Sequence, residues 1–298
     1  MGRSKTLSAV LLTVTLATPV LADTKPPDYG VYDPLGDYTT SDLVKIEHLF
    51  LPWEDLFLES LIEADAYALE RGRDVLVTIE PWTWTRDARN TPEALIRGIN
   101  DGTYDDNMSS ICGELNKFES KVTVRWAQEM DFSEGQFIWS GWEPETYIDA
   151  FKRVIDLCRA AAPEVAVMWS PLGDDGMEDF YPGDDYVDVV GVSVFGYQPW
   201  EERILGTSRT FHDIFAPRYE NARQFGKPVV VAELGFSGVQ EYVDLWQNDI
   251  EQPMPQYPTL ESVVYFNQQE VHPWPDGFGL PNWRIGDRVI VRSAEAQQ

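Results

Sequence analysis

The chain of 298 residues has a formal net charge of −27 at pH 7, because 50 acidic residues outnumber 23 Lys and Arg. So acidic a protein repels nucleic acid, anionic lipid and acidic polymers, which excludes these partners and leads us to expect a neutral one. No Ser- or Gly-rich linker, low-complexity tract or internal repeat divides the sequence. A single domain with a large core is therefore predicted.

The N-terminus has the features of a secretory signal peptide. Arg3 and Lys5 precede an apolar run over residues 7–21, which closes with small residues up to Ala22. We expect cleavage after Ala22 and export to the periplasm or the medium, which leaves one domain at 23–298. A membrane anchor is the alternative, but the run is shorter than the roughly 20 apolar residues that a bilayer span needs. We therefore expect no membrane partner, and a monomer.

Short β-rich runs alternate with helical patterns along the rest of the chain. The predicted strands cover residues 30–32, 45–51, 74–79, 121–126, 165–169, 187–194, 228–232 and 262–266. Several are near-continuous apolar runs, which is typical of parallel strands covered on both faces. Eight strands alternating with helices predict an α/β protein, a single-domain (β/α)8 TIM barrel. A doubly wound sheet is the alternative, but the sequence lacks the Gly-rich phosphate-binding turn that would favour it.

Three helical patterns have clear start or stop signals. The first, over residues 55–72, ends at Gly72, and the second, over 144–162, starts at Pro144. The third, over 209–226, contains Pro217, and we predict a break there.

The cysteines Cys112 and Cys158 each share an apolar stripe with helical spacing. Two neighbouring helices can pair these sulfurs in an oxidising compartment, and two buried free thiols are an equally open alternative. Neither a zinc site nor a cysteine nucleophile is indicated. The three histidines lie far apart in the sequence, so we expect no metal and no cofactor.

Three glutamates follow apolar strands: Glu80 after the third, Glu129 after the fourth and Glu233 after the seventh. Active sites of such barrels lie at the carboxyl ends of the strands, and strands four and seven face each other across the mouth. Glycoside cleavage needs one carboxylic acid to protonate the leaving oxygen and one carboxylate to attack or activate water. A single glutamate of this kind is as well explained by an ion pair or a helix cap, but two on facing strands favour the catalytic interpretation.

Several segments resemble glycoside hydrolase family 26. RWAQEMDFSEGQFIWSG followed by PETYIDAFKRV resembles its acid/base region, VMWSP and YPGDDYVDVVGVSVFGY resemble strands five and six, and KPVVVAELGF resembles its nucleophile strand. The resemblance spans roughly residues 121–236. It implies a (β/α)8 barrel of the retaining clan, whose commonest members are endo-β-mannanases, with others that act on β-glucan or xylan. The expected activity is that of a retaining endo-β-glycanase acting on a neutral polysaccharide or oligosaccharide.

The resemblance also assigns roles to individual residues. It implies that Glu129 is the acid/base, that Glu233 is the nucleophile, that Arg125 holds a carboxylate ionised, and that Trp139 shapes the sugar cleft. Retention predicts that the two carboxyl groups lie about 5–5.5 Å apart. Tyr197 is a candidate for orienting the nucleophile, because it lies two residues beyond the position where the family has Tyr.

Three positions depart from the family pattern: Gln128 replaces the usual His, Asp131 the usual Asn, and Phe195 the usual Tyr. An amide and an imidazole both hydrogen-bond a sugar hydroxyl, but only the imidazole titrates near neutral pH. These departures put mannan specificity in question more than hydrolysis. They also keep open a polysaccharide-binding protein on an inactive scaffold, as in exopolysaccharide processing. A transglycosylase is a further alternative, because acceptor subsites decide that outcome and the sequence does not show them.

Further residues are candidates for contact with a sugar. Glu80 is interpreted as a substrate ligand, with an ion pair or a partner role to Arg125 as alternatives. The tryptophans Trp82, Trp84, Trp126 and Trp169 follow or end strands three to five, so each is either a sugar platform or a core residue. Trp274 and Trp283, after the eighth strand, are predicted to pack beneath the barrel. The sequence leaves the glycan, and the choice between endo and exo cleavage, open.

Overall fold

A computed structural model describes residues 26–83, 91–132 and 136–291. The predicted signal peptide over residues 1–22 and the candidate platform Trp84 lie outside the described residues. Within the described chain, eight parallel strands pair in sequence order and the last pairs with the first, so the sheet closes into a barrel. The predicted single-domain (β/α)8 architecture is confirmed.

All eight strands form where the apolar runs predict them. They are β1 (Asp28–Tyr32), β2 (Val44–Pro52), β3 (Asp74–Glu80), β4 (Val122–Trp126), β5 (Ala166–Trp169), β6 (Val189–Tyr197), β7 (Val229–Ser237) and β8 (Leu260–Phe266). The largest difference from prediction is at β7, which continues five residues past Ala232. The extra length pairs with the end of β6, which also runs three residues past its predicted end at Val194.

Helices cover the outside of the barrel. They are α1 (Ser60–Glu70), α2 (Pro92–Asn100), α3 (Asp105–Leu115), α4 (Pro144–Ala161), α5 (Gln198–Trp200), α6 (Phe211–Arg223) and α7 (Gln240–Glu251), with a π-helical turn at Glu201–Leu205 after α5. The break predicted at Pro217 is wrong, because α6 is continuous through it. Proline removes a single backbone donor, while buried aromatic side chains on both sides of it keep the helix against the barrel.

Side-chain alternation along the strands separates two layers. In β4, Val122, Val124 and Trp126 join the core between barrel and helices, and Arg125 points into the barrel. The barrel interior is apolar in one part, where Leu76, Met168, Val230, Ala232 and Val264 form a separate cluster. Beyond this cluster, toward the carboxyl ends of the strands, the interior positions include the polar residues Thr78, Glu80 and Ser193, and the functional site is built there.

A disulfide between Cys112 and Cys158 joins α3 to α4. The sequence allowed either a disulfide or two free thiols, and the structure contains the disulfide. Among the described residues, no helix combines the length and apolarity needed to cross a bilayer.

Candidate active site

The chain leaves β4 through two residues in the left-handed backbone region, Ala127 with φ of 47° and Glu129 with φ of 54°. Such values are rare for residues other than glycine, and they concentrate at functional sites. Two hydrogen bonds hold this turn between the neighbouring strands. Ala127 N donates to Ile79 O at 3.3 Å, and Glu129 N donates to Ser170 O at 2.8 Å. The strained turn directs the Glu129 side chain into the barrel mouth.

A bulge in β7 directs Glu233 to the same place. Val192 pairs with Val231 but the next residue, Ser193, pairs with Glu233, so Ala232 is an extra residue in β7. Val230 and Ala232 already face the barrel interior, and strict alternation would turn Glu233 outward toward the helices. The extra residue turns the side chain that follows it to the other face of the strand, as β-bulges do next to active sites. Glu233 therefore points into the mouth.

A buried salt bridge connects β4 to β7. Arg125 Nη1 lies 2.6 Å from Glu233 Oε1, and the Arg125 side chain has no exposed surface. The same nitrogen donates to Thr78 Oγ1 at 3.3 Å, and Thr78 Oγ1 lies 2.7 Å from His48 Nε2. Arg125 therefore contacts Glu233 and not Glu80. This excludes the interpretation of Glu80 as the partner of Arg125.

Glu129 has a different environment. Its Oε1 accepts a hydrogen bond from the Ser193 hydroxyl, a neutral group. Burial raises the pKa of Glu129, while Ser193 and the charge of Arg125 act against the rise. Burial also raises the pKa of Glu233, where Arg125 opposes the rise and the charge of Glu129 adds to it. The two carboxyl groups are thus electrostatically linked, and they titrate as a pair.

Glu80 forms a second polar cluster at the end of β3. Its Oε1 accepts from Gln128 Nε2 at 2.8 Å and its Oε2 accepts from Trp82 Nε1 at 3.1 Å. Burial raises the pKa of Glu80, and these two hydrogen bonds counteract the rise. Gln128, which stands where the family usually has His, is thus fixed by Glu80 and is almost fully buried.

Asp131, which stands where the family usually has Asn, accepts from Leu172 N at 2.9 Å. Burial raises its pKa to about 6. Because Leu172 lines the cavity described below, Asp131 shapes that wall through the backbone.

A cavity of about 880 Å³ opens at this end of the barrel, and both Glu129 and Glu233 line it. Glu80, Trp82 and Gln128 line it as well. The sequence-predicted residues that meet at one cavity are therefore Glu80, Trp82, Gln128, Glu129 and Glu233, with Arg125 directly beneath.

The segment after β8 folds over the mouth. Trp274 lines the cavity, and the buried Trp283 packs against it with ring centroids 5.4 Å apart. The prediction that both pack beneath the barrel is wrong, because the segment starts at the carboxyl end of β8 and turns back on itself there. Backbone hydrogen bonds from Trp283 N to Gln268 O and from Trp274 N to Gly279 O hold this turn.

Three other predicted residues do not line the cavity. Trp169 is fully buried and packs edge-on against Tyr181 and Phe225 on the helix side of the barrel, and Trp126 has a similar core position. Tyr197 packs edge-on against Trp274 and Trp283, whereas its neighbour Phe195 lines the cavity. These placements do not support direct sugar contact by Trp169 or orientation of Glu233 by Tyr197.

Trp139 lies behind the residues that line the cavity and does not line it itself. Its ring lies face to face with that of Phe137, with centroids 4.7 Å apart and planes 7° from parallel, and its Nε1 donates to Gln128 O at 2.7 Å. Phe137 and Gln128 line the cavity, and Trp139 has no exposed surface. Trp139 thus supports the residues that form the wall.

The sequence analysis missed several residues of the site and misplaced Trp274; those missed are Tyr32, His48, Phe50, Thr78, Ser193, Glu270 and His272. Those on strands lie on the inward-facing side of β1, β2, β3 and β6, so the alternation rule could have found them. Glu270, His272 and Trp274 lie in the irregular segment after β8, where no periodicity points to the mouth. Within residues 26–83, 91–132 and 136–291, no cluster of three or more His, Cys, Asp or Glu side chains is arranged to hold a metal ion.

Comparison with known protein families shows to which family the chain belongs. Residues 96–262, more than half of it, match the family model of glycosyl hydrolase family 26. The chain belongs to glycosyl hydrolase family 26. The resemblance found in its sequence motifs is thereby confirmed.

The chain is also similar to individual glycan-degrading enzymes. The chain is 23% identical to endoglucanase H of Acetivibrio thermocellus over 246 residues, which cover 77% of the chain and 25% of that protein. It is 28% identical to the β-1,3-xylanase TXYA of a Vibrio species over 110 residues, 35% of the chain and 23% of that protein. The chain spans about a quarter of the length of these relatives.

Among solved structures, the family 26 β-mannanase of Bacteroides ovatus superposes with a TM-score of 0.59 at 19% identity, over 81% of this chain and 80% of that one. At this identity the superposition supports the shared barrel fold alone.

Proposed function

We propose that this protein is a retaining endo-β-glycanase that hydrolyses a neutral β-linked polysaccharide, with Glu233 as nucleophile and Glu129 as acid/base. The observation that carries the proposal is the difference between the two carboxyl groups of one cavity. Glu233 contacts a buried guanidinium at 2.6 Å, and Glu129 accepts a hydrogen bond from the neutral Ser193 hydroxyl. Family 26 membership supports the same assignment.

The location of the shared proton follows from these partners. Burial raises the pKa of both groups and their mutual repulsion adds to the rise at Glu233, which favours a state in which the pair shares one proton. A guanidinium in contact favours the ionised form of a carboxyl far more than a hydroxyl does. Glu233 is therefore the carboxylate and Glu129 the carboxylic acid, which is the division of labour that glycoside cleavage needs.

The reaction then proceeds by double displacement. Glu233 attacks the anomeric carbon while the bond from that carbon to the leaving oxygen breaks and Glu129 gives its proton to that oxygen. In the second half, Glu129 takes a proton from water, the water oxygen bonds to the anomeric carbon, and the bond to Glu233 breaks. The configuration at the anomeric carbon is retained, and both glutamates return to their starting states.

The substrate is proposed to be a neutral glycan of the β-mannan, β-glucan or β-xylan type. Aromatic side chains at the cavity, namely Tyr32, Phe50, Trp82, Phe266 and Trp274, suit the apolar faces of sugar rings. The carboxyl groups at the same cavity disfavour an acidic glycan. The relatives carry names that span glucan and xylan chains, which supports this range of backbones.

We further propose that residues 1–22 are a signal peptide and that residues 23–298 work outside the cytoplasm. The bridge between Cys112 and Cys158 supports this, because disulfides form and persist in oxidising compartments. N-terminal sequencing of the exported protein tests the cleavage site. A mature chain that still contains residues 1–22 would contradict it.

Reducing-end release from a panel of β-mannan, mixed-linkage β-glucan, β-1,3-xylan and β-1,4-xylan tests the function. We expect new reducing ends from at least one glycan, and none from the Glu233→Gln variant when it is assayed well below its own unfolding temperature. Binding to a glycan without new reducing ends would instead identify a binding protein, and longer oligosaccharides formed from short ones would identify a transglycosylase.

A further inference from the structure

A hydrogen-bonded chain of side chains extends from Glu233 across the barrel interior to β2. Arg125 Nη1 donates to Glu233 Oε1 and to Thr78 Oγ1, and Thr78 Oγ1 is 2.7 Å from His48 Nε2. Thr78 and Arg125 are paired positions on β3 and β4, so the strand register sets their separation. Thr78 has no exposed surface and His48 is 2% exposed, so solvent does not compete for these groups.

The direction of each hydrogen bond follows from what each group can donate. Arg125 only donates, so Thr78 Oγ1 accepts from it. The hydroxyl proton of Thr78 is then available for His48 Nε2, provided that the imidazole is neutral. Burial and the nearby Arg125 charge lower the pKa of His48 well below its ordinary value, so the ring is neutral. In the tautomer that carries its proton on Nδ1, Nε2 accepts, and the bonds run from Arg125 to Thr78 to His48.

His48 is itself held firmly. Its ring lies over that of Phe50, with centroids 4.3 Å apart, and contacts the edge of Tyr32 at 6.2 Å. Phe50 and Tyr32 line the cavity, so His48 lies directly beneath its aromatic floor. The imidazole therefore provides a fixed acceptor at the end of the chain of hydrogen bonds.

Arg125 depends on this chain for its orientation. Its Nε and Nη2 have no hydrogen-bond partner among the described residues, so Glu233 and Thr78 are the groups there that orient the guanidinium. Without Thr78, the contact with Glu233 alone would leave the guanidinium free to rotate. If the Arg125 guanidinium rotates, the Glu233 carboxylate is no longer held in one orientation. Its negative charge is then also less well stabilised.

We propose that Thr78 and His48 are positioning residues that hold Arg125 on Glu233 and so keep Glu233 aimed at the anomeric carbon. The proposal rests on the proposed role of Glu233 as nucleophile. Neither residue lines the cavity. Their effect reaches the reaction through the guanidinium alone.

The test compares Thr78→Val, which removes the hydroxyl at nearly constant volume, with Thr78→Ser, which keeps it. Activity is measured on whichever of β-mannan, mixed-linkage β-glucan, β-1,3-xylan or β-1,4-xylan the wild-type protein hydrolyses fastest. We expect kcat of Thr78→Val to fall about ten- to a hundredfold with KM unchanged. We also expect the acid limb of kcat/KM to move to higher pH, because a loosened Arg125 stabilises the ionised Glu233 less. Thr78→Ser should restore both.

A second pair of variants gives the same comparison if Thr78→Val does not fold. His48→Gln keeps an acceptor and should stay close to wild type, whereas His48→Leu should lose kcat and show the raised acid limb. The double variant His48→Leu/Thr78→Val should be no worse than the worse single variant, since both interrupt one chain of hydrogen bonds.

Two results would overturn the proposal. One is wild-type kcat and an unmoved acid limb in Thr78→Val or His48→Leu. The other is an equal loss in Thr78→Ser and Thr78→Val, which would mean that packing rather than the hydroxyl matters. A wild-type protein that releases no reducing ends from any glycan would instead contradict the proposed function itself, so the two failures are distinguishable.

Discussion

Arg125 and Glu233 form a salt bridge inside the barrel, with Nη1 and Oε1 2.6 Å apart and side-chain exposures of 0% and 10%. The two residues lie 108 positions apart in the sequence and on strands that face each other across the barrel mouth. The buried cation gives two otherwise similar glutamates different electrostatic environments. It has consequences for both stability and catalysis.

The first prediction concerns the removal of this cation. Breaking a buried pair leaves an uncompensated charge, so Arg125→Met should lower the free energy of unfolding by about 3–5 kcal/mol at neutral pH, as measured by urea denaturation. Arg153→Met is the matched control, because its partner Asp105 is about a third exposed. Its effect should stay below about 1 kcal/mol. An equal decrease in the free energy of unfolding of both variants would contradict the claim that burial makes the Arg125 pair more important for stability than the exposed pair.

The second prediction concerns Ser193, which donates a hydrogen bond to Glu129. That bond stabilises the ionised carboxylate and so lowers the pKa of Glu129. Ser193→Ala should therefore raise the pKa of Glu129, which the proposed mechanism requires to be protonated in its first step. The alkaline limb of kcat/KM should move to higher pH while the acid limb stays in place. An alkaline limb that moves to lower pH would exclude Glu129 as the acid.

The third prediction concerns Trp274, which lines the cavity from the segment after β8. If its ring is a sugar platform, Trp274→Ala should raise KM about tenfold, which corresponds to about 1.4 kcal/mol of lost binding. Trp169→Phe is the control, because Trp169 packs against Tyr181 and Phe225 away from the cavity. It should leave KM unchanged. A Trp274→Ala variant with wild-type KM would remove Trp274 from the substrate site.

The fourth prediction concerns the disulfide, whose cysteines are 46 residues apart. Closing a loop of that length restricts the unfolded chain, which corresponds to about 4 kcal/mol of stability in the chain-entropy description. The double variant Cys112→Ser/Cys158→Ser should lose about this much in urea denaturation, and wild-type protein should lose a similar amount in reducing agent. A reducing agent without effect on wild type would contradict a stabilising bridge.

The barrel and the positions of Glu129 and Glu233 could be predicted from the sequence, because each corresponds to a periodic or positional pattern of residues. Apolar runs at regular spacing predicted all eight strands, and acidic residues at the strand ends predicted the location of Glu129 and Glu233. The orientation of Glu233 was beyond that pattern. It depends on the extra residue Ala232, and a two-residue period cannot reveal a bulge.

The aromatic residues of the site were harder to predict for a related reason. A tryptophan at the end of a strand faces either the mouth or the helices according to register, and Trp169 faces the helices. Trp274 reaches the mouth through an irregular segment whose path is set by backbone hydrogen bonds such as that from Trp274 N to Gly279 O. Neither feature has a periodic signature in the sequence.

The central claim is that Glu233 forms a covalent bond with the sugar. It is tested most directly by incubating the protein with a 2-deoxy-2-fluoro-β-glycosyl fluoride of the sugar type that it hydrolyses, followed by peptide mass spectrometry. We expect one sugar per protein, attached to Glu233, and faster loss of the label when an acceptor sugar is added. A label on Glu129, or an active protein that turns over the fluoride with inversion and never carries a label, would contradict the account.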